Sequence, residues 1–109
     1  MANTFKLKTK ANVGVTTVGI YTAPASTTTV VIGITLANTS GSGVNVAVGI
    51  TRAGTTEDVK LLKNAPIPSG SSLEFMAGNK VVLEETDTVV VDSDTNNSVD
   101  ASLTIMEIT

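Results

Sequence analysis

Hydrophobic and small neutral residues alternate through residues 30–50, VVIGITLANTSGSGVNVAVGI. In residues 30–36 and again in residues 44–50, every even position is valine, isoleucine or leucine, and the odd positions are mostly small and uncharged. A period of two is typical of a half-buried β-strand. Between the two runs, NTSGSG (residues 38–43) supplies the glycine, serine and asparagine typical of a turn. The pattern predicts a β-hairpin with its even positions in the core.

Other short runs rich in valine, isoleucine and threonine alternate in the same way. They lie at residues 16–22, 58–64, 72–76, 80–83, 88–93 and 98–108, with proline, glycine or acidic residues between them. About eight short strands without helical periodicity predict an all-β fold, a single antiparallel β-sandwich. Both jelly-roll and immunoglobulin-like connections between the strands are compatible with this pattern. We expect residues 1–10 to form an N-terminal arm or edge strand and residues 11–109 to form the sandwich domain.

Composition narrows the possible functions. The 109 residues include no cysteine and no histidine, and only 3% are aromatic. Without these two residue types, the chain has no thiolate or imidazole that could act as a nucleophile, a general base or a metal ligand. No signal-peptide pattern is present, and threonine, asparagine and glycine interrupt every apolar run before it could span a membrane. We expect a soluble, non-enzymatic protein without a cofactor and without a membrane partner.

Two acidic segments invite a chemical interpretation. Four residues of DSDTNNSVD are spaced like the first oxygen ligands of an EF-hand: Asp92, Asp94, Asn96 and Asp100. The match fails where Asn97 replaces the turn glycine and Leu103 replaces the bidentate glutamate. We therefore predict a solvated acidic turn and no metal, with a weak Ca²⁺ site as the alternative. Glu84, Glu85 and Asp87 resemble paired glycosidase carboxylates, but a polar hairpin turn explains them better because no aromatic cleft is indicated.

Charge is distributed unevenly along the chain. Residues 1–52 contain four basic residues and no acidic one, whereas all ten acidic residues lie in residues 53–109. Lys6, Lys8 and Lys10 alternate with neutral residues, so an extended segment would present the three ammonium groups on one side. Net charge of −3 argues against nucleic-acid binding. The lysines instead indicate a protected edge strand or an arm that contacts an acidic neighbour.

The odd-numbered side of the predicted hairpin lacks the lysine and glutamate that usually protect an exposed sheet. We interpret this neutral face as a contact surface, although threonine and asparagine could also hydrate it. The candidate interface comprises Lys6, Lys8, Lys10, Val31, Thr35, Ala37, Asn45, Ala47 and Thr51.

Three segments resemble a group of small structural proteins from the virions of tailed bacteriophages. They are YTAPASTTTVVIGITLANTSGSGVNVAV (21–48), LLKNAPIPSGSSLEF (61–75) and NKVVLEETDTVVVDS (79–93). The similarity extends over about residues 21–108 and consists of strand and turn sequences without a catalytic motif. Ser26 stands where such proteins often have glycine, and Glu85-Thr86-Asp87 replaces the common Ala-Gly-Asp turn.

The resemblance implies a β-sandwich subunit present in many copies on a virion, made in the cytoplasm of the host bacterium. We expect a capsid decoration (cement) protein that forms a homo-oligomer, a dimer or trimer, and binds the major capsid protein or another virion protein. The alternative is a tail, baseplate or fibre component that recognises a glycan on the host surface. Neither role requires nucleic acid.

Overall fold

Nine β-strands make up the computed structural model, which describes residues 2–53, 58–75 and 80–109. The strands are β1 (Asn3–Val13), β2 (Val18–Thr22), β3 (Thr28–Asn38), β4 (Val44–Thr51), β5 (Asp58–Ile67), β6 (Ser72–Phe75), β7 (Val81–Leu83), β8 (Thr88–Ser93) and β9 (Val99–Ile108). Met76, which the sequence assigned to a strand with residues 72–75, lies outside the described residues. Within these ranges, no helix is long and apolar enough to cross a membrane.

The strands form two antiparallel sheets that enclose one core. The first sheet has the order β1-β9-β3-β6, and β7 also pairs with β3. The second has the order β2-β8-β4-β5. If β6 and β7 are taken as one interrupted strand, the chain crosses between two four-stranded sheets in the pattern of a jelly roll. The predicted antiparallel β-sandwich is confirmed, and the jelly roll is the connection pattern present.

The predicted hairpin between β3 and β4 is wrong. β3 belongs to the first sheet and β4 to the second. The turn between them therefore passes from one sheet to the other and does not join two paired strands. Asn38 holds this crossing: its amide nitrogen donates to the carbonyl oxygens of Ser42 and Ile67, both at 2.9 Å, and its side-chain oxygen accepts from Ser40 N. Turn residues favour a reversal of the chain without determining which strands then pair. β4 forms its hairpin with β5.

A β-bulge divides β3 into two halves of opposite phase. The register against β9 shifts between Val31 and Gly33. After the bulge, Ile34 and Leu36 point into the core, as the alternation predicts. Before it, Val31 is buried and Val30 points outward, because one extra residue transfers the following side chains to the other face. Val31 is only 1% exposed, so its assignment to the candidate interface is wrong.

The core is almost entirely aliphatic, as the composition predicts. The even positions of β4 face inward without exception: Val44, Val46, Val48 and Ile50. Leucine, isoleucine and valine from β3, β8 and β9 pack against them. Tyr21, on β2, adds the one aromatic ring among the buried core residues of the described chain. Sheets packed face to face in a sandwich are about 10 Å apart, and the side chains of their inner faces interdigitate in that space.

Candidate functional site

Four apolar side chains lie in register across the outer face of the first sheet. Phe5 on β1 is opposite Met106 on β9, Met106 is opposite Val30 on β3, and Val30 is opposite Val82 on β7. Directly opposite residues in paired strands point to the same face of a sheet. The two ends of this row are the most open, since Phe5 is 68% and Val82 58% exposed. The row is therefore an apolar stripe on the surface.

The stripe is part of a larger surface that we call the apolar patch. It consists of Phe5, Leu7, Val30, Ile32, Val82, Met106 and Ile108. Four strands about 4.8 Å apart and some four residues along each of them give a patch of roughly 200 to 300 Å². The largest apolar patch on a typical monomer covers about 300 to 600 Å² and is often functional, and this patch reaches the lower end of that range. Beyond the patch the same face becomes polar, with Thr9, Ser102 and Thr35 in register.

The opposite side of β1 carries the lysines. Lys6, Lys8 and Lys10 lie opposite Ile105, Leu103 and Ala101, which are core residues of β9. The lysines are thus on the inward side of the sheet, at its edge, where Lys8 is half-buried and the other two are exposed. Inward-pointing charge is one way to stop an edge strand from pairing wrongly. β1 consequently has its charges inside and its large apolar residues outside.

Lys6 completes a hydrogen-bonded network between the two sheets. Its ammonium lies 2.8 Å from Oε1 of Glu107 on β9. The hydroxyl of Tyr21, on β2 in the second sheet, donates to Oε2 of Glu107 at 2.6 Å. Because this bond uses the only tyrosine proton, the hydroxyl of Thr29, 2.8 Å away, donates to the tyrosine oxygen. Glu107 and Thr29 are buried, 6% and 0% exposed, so the network lies at the edge of the core.

The network changes the acidity of two of its members. The hydrogen bonds from Lys6 and Tyr21 lower the pKa of Glu107 below its ordinary value, against the opposing effect of burial. Burial and the bond to the carboxylate raise the pKa of Tyr21 to about 12. Glu107 is therefore an anion at neutral pH and requires the cation that β1 supplies.

The other predicted interface residues fall on two opposite faces. Thr35 and Ala37 lie on the outer face of the first sheet, where with Thr9, Asp100 and Ser102 they line a shallow depression of about 290 Å³. Asn45, Ala47 and Thr51 belong to β4 in the second sheet. They cannot share one continuous surface with Thr35 and Ala37, because the core separates the two sheets. Ala47 is also nearly covered, at 9% exposed.

Each of the three candidate carboxylate ligands for calcium accepts a hydrogen bond from another part of the chain. Asp92 accepts from the Thr17 hydroxyl, Asp94 from the backbone N–H of Asn45, and Asp100 from the backbone N–H of Asn12. The backbone of Asn96 packs against Gly14. In residues 2–53, 58–75 and 80–109, no three acidic, histidine or cysteine side chains form a group that could hold a metal. Each of the three carboxylates fixes a loop or strand end.

The acidic cluster around Asp87 fixes a corner of the sandwich. The turn joins β7 in the first sheet to β8 in the second, so it is a crossing and not the hairpin turn predicted. The Asp87 carboxylate, 2% exposed, accepts from the backbone N–H groups of Ala53 at 2.9 Å and Glu84 at 3.0 Å and pairs with the Arg52 guanidinium. Burial alone would raise the pKa of Asp87, but these bonds outweigh it and lower the pKa. The cluster is structural.

The apolar patch was missed at the sequence level, although the signal was present. Phe5 and Leu7 alternate with the lysines, and the sequence pattern favours the lysine side of the segment as its contact side. On an edge strand both sides reach solvent, so the alternation alone does not identify the open face. The contribution of β7, through Val82, depends on a pairing that only the structure reveals.

The fold has a counterpart among solved structures. The chain is similar to a structure described as "Bacillus endospore appendages form a novel family of disulfide-linked pili", with a TM-score of 0.60 and 16% sequence identity. The alignment covers 99% of this chain and 87% of the other. No family model matches the chain, and no curated protein matches it. At this identity the similarity establishes a shared fold.

Proposed function

We propose that the protein is a non-enzymatic structural subunit that works by assembling in many copies, with the apolar patch of one copy packed against another copy. The observation that carries this proposal is the row of Phe5, Met106, Val30 and Val82 across four strands. The patch contains no charged side chain, so identical chains that meet through it bring no like charges into contact, although each carries a net charge of −3. A second copy is therefore a suitable occupant.

The size of the patch favours repetition over a single stable dimer. A stable interface buries about 800 Å² on each partner. The apolar patch offers roughly 200 to 300 Å² of apolar surface. One such contact is weak, but a subunit held by several weak contacts in an array is retained durably through multivalency. We expect assembly to be strongly dependent on concentration.

The fold similarity supports a role in assembly. The similar structure belongs to disulfide-linked pili. This chain has no cysteine, so covalent linkage of that kind cannot occur here and any polymer must be held by packing, hydrogen bonds and charge. The aliphatic core and the absence of histidine also fit a building element better than an enzyme.

The finer form of the proposal is decoration of a bacteriophage capsid, which rests on the sequence resemblance alone. In that role the subunit would bind the major capsid protein on the virion, and a tail, baseplate or fibre location is the alternative. A filament is the third arrangement, favoured by the pilus structure. Negative-stain microscopy of the purified protein distinguishes them: a filament subunit forms long polymers alone, whereas a decoration protein forms only small oligomers until the particle is present.

Single lysine substitutions test the assembly surface. In Phe5→Lys and Val82→Lys, a charge replaces an exposed apolar side chain at either end of the row. Val15→Lys is the matched control, because Val15 is 55% exposed and lies in the bend between β1 and β2. Sedimentation velocity over a concentration series should show assembly for the parent and V15K and a loss of assembly for F5K and V82K.

Thermal unfolding of the same four proteins separates a surface effect from misfolding. All should unfold at similar temperatures, since the substituted residues are more than half exposed. A parent that stays monomeric at every concentration contradicts the proposed function. Assembly of F5K and V82K equal to that of V15K shows that the apolar patch is not the contact surface.

A further inference from the structure

β1 contributes little to the core of its own chain. Of its eleven residues, Val13 alone is buried, and Lys8 is half-buried. Phe5 and Leu7 are 68% and 65% exposed. The segment of residues 3–10 is therefore held by its backbone pairing with β9 and by the ion pair between Lys6 and Glu107. A strand with so few buried side chains gives up little apolar burial of its own when it leaves its place.

The position beside β9 nevertheless restricts which strand can occupy it. Glu107 is a buried carboxylate that already accepts the Tyr21 hydroxyl proton. Without a cation it would remain an uncompensated buried charge, which is strongly destabilising. The occupant must therefore be a strand that places a lysine opposite Ile105, as Lys6 is placed. Any copy of this chain can supply such a strand.

An irregular joint separates residues 3–10 from the rest of the chain. The register between β1 and β9 shifts between Lys10 and Val13, and Asn12 has a φ of 59° in the left-handed region. Beyond the joint, Val13 is fixed in the core and its carbonyl oxygen accepts from Ser98 N. Straightening at Ala11 and Asn12 would direct the segment away from its own sandwich while Val13 stays in place.

Building on the proposed assembly, we propose that residues 3–10 are exchanged between copies, so that Lys6 of one copy completes the site formed by Tyr21, Thr29 and Glu107 of the next. Exchange of an identical element keeps the contacts that residues 3–10 make with β9, which makes it an inexpensive route to association. If each copy gives its segment to the next and the series does not close into a ring, the exchange generates a linear polymer. The apolar patch would then combine Phe5 and Leu7 of one chain with Val30 and Met106 of its neighbour.

Cysteine pairing tests the exchange directly, because the chain has no native cysteine. Lys10 is opposite Ala101, so their Cα atoms are close enough for a disulfide. Ala101 is 3% exposed and faces the core, where only a strand in the β1 position can reach it. Full-length K10C and A101C chains with different tags are unfolded together, refolded at an assembling concentration and oxidised. Exchange predicts a mixed K10C–A101C dimer band on a non-reducing gel that reduction shifts to monomer.

Two controls make the result specific. Thr22 on β2 and Thr88 on β8 are also opposite each other, but β2 is anchored by the buried Tyr21, so T22C and T88C chains should give no mixed dimer. A single K10C/A101C chain should form an internal disulfide when monomeric, which verifies the geometry. Assemblies that contain no mixed K10C–A101C dimer overturn the exchange and leave the proposed function intact. A complete lack of assembly contradicts both.

Discussion

Tyr21 and Glu107 join the two sheets of the sandwich through a hydrogen bond of 2.6 Å between the tyrosine hydroxyl and Oε2 of the glutamate. Tyr21 lies on β2 in the second sheet and Glu107 on β9 in the first, 86 residues later. The bond is charge-assisted and buried, which makes it stronger than a bond between neutral groups. It connects the edge strand β1 to the core, because Lys6 binds the other oxygen of the same carboxylate.

Replacing Glu107 by glutamine should lower stability in a pH-dependent way. The pKa of Glu107 is lower in the folded chain than its ordinary value of 4.5, so the ionised carboxylate stabilises the fold above that pH. At pH 7, E107Q should lose about 1 to 2 kcal/mol of unfolding free energy, since Lys6 is partly exposed and the ion pair is partly screened. As the pH falls below 4.5 and through the lower folded pKa, the parent should lose this advantage. Urea unfolding of both proteins at a series of pH values measures the difference.

The comparison isolates Glu107 because Asp87, whose pKa is also lowered, is unchanged in both proteins. Both should therefore lose stability in acid, and only the difference between them reports on Glu107. A difference that stays constant from pH 7 to pH 3 would show that the glutamine acts through packing and not through charge.

Asp87→Asn should destabilise the corner between β7 and β8. The carboxylate accepts from the backbone N–H groups of Ala53 and Glu84, and an asparagine must present its own NH₂ to one of these donors. We expect a loss of about 2 kcal/mol, typical of charge-assisted hydrogen bonds. Glu85→Gln is the matched control, because Glu85 is exposed in the same turn and accepts one bond, from Ser26 N. Equal losses for the two variants in chemical unfolding would contradict the role of Asp87.

Two adjacent valines test the bulge in β3. Val31 is 1% exposed and packs in the core, whereas Val30 is half-buried on the outer face. Val31→Thr buries a hydroxyl without a partner and should cost about 2 kcal/mol. Val30→Thr has the same shape change and should alter stability by less than about 0.5 kcal/mol. Thermal unfolding in monomeric conditions measures both losses. A larger loss for Val30→Thr than for Val31→Thr would show that the even-numbered residue faces the core, as the sequence predicts.

The alternation of residues predicted the strands well and their partners poorly. The even positions of β4, from Val44 to Ile50, face the core as the period of two requires. The same period failed in the first half of β3, where a bulge places one extra residue on β3 opposite β9. The alternation of residues along a strand does not reveal such a bulge. Asn38 and the serines after it signalled a turn, but the choice between a hairpin and a crossing depends on contacts with Ile67 far along the chain.

The candidate surface shows the same limit. The sequence predicts Lys6 as an interface residue, yet its partner Glu107 is 101 positions away and has no distinguishing context in the sequence. The apolar patch requires β1, β9, β3 and β7 to lie side by side in that order. Pairings between distant segments therefore determine both the core network and the exposed surface, and those pairings are a property of the whole fold.

Gly49 and Gly33 occupy similar sequence settings, VGI and IGI, but should respond oppositely to alanine. A Cβ on Gly49 would lie 2.7 Å from the carbonyl oxygen of Val59, a backbone atom of the neighbouring strand β5 that cannot move without disturbing the sheet. A Cβ on Gly33 would meet nothing within 4 Å, and its φ is not in the left-handed region. G49A should lose about 1 to 3 kcal/mol through overpacking. G33A should retain its stability or gain about 0.5 kcal/mol, because alanine has less freedom in the unfolded chain. Chemical unfolding of the pair checks the close approach of β4 and β5, and a G49A variant as stable as G33A would show that the strands are farther apart.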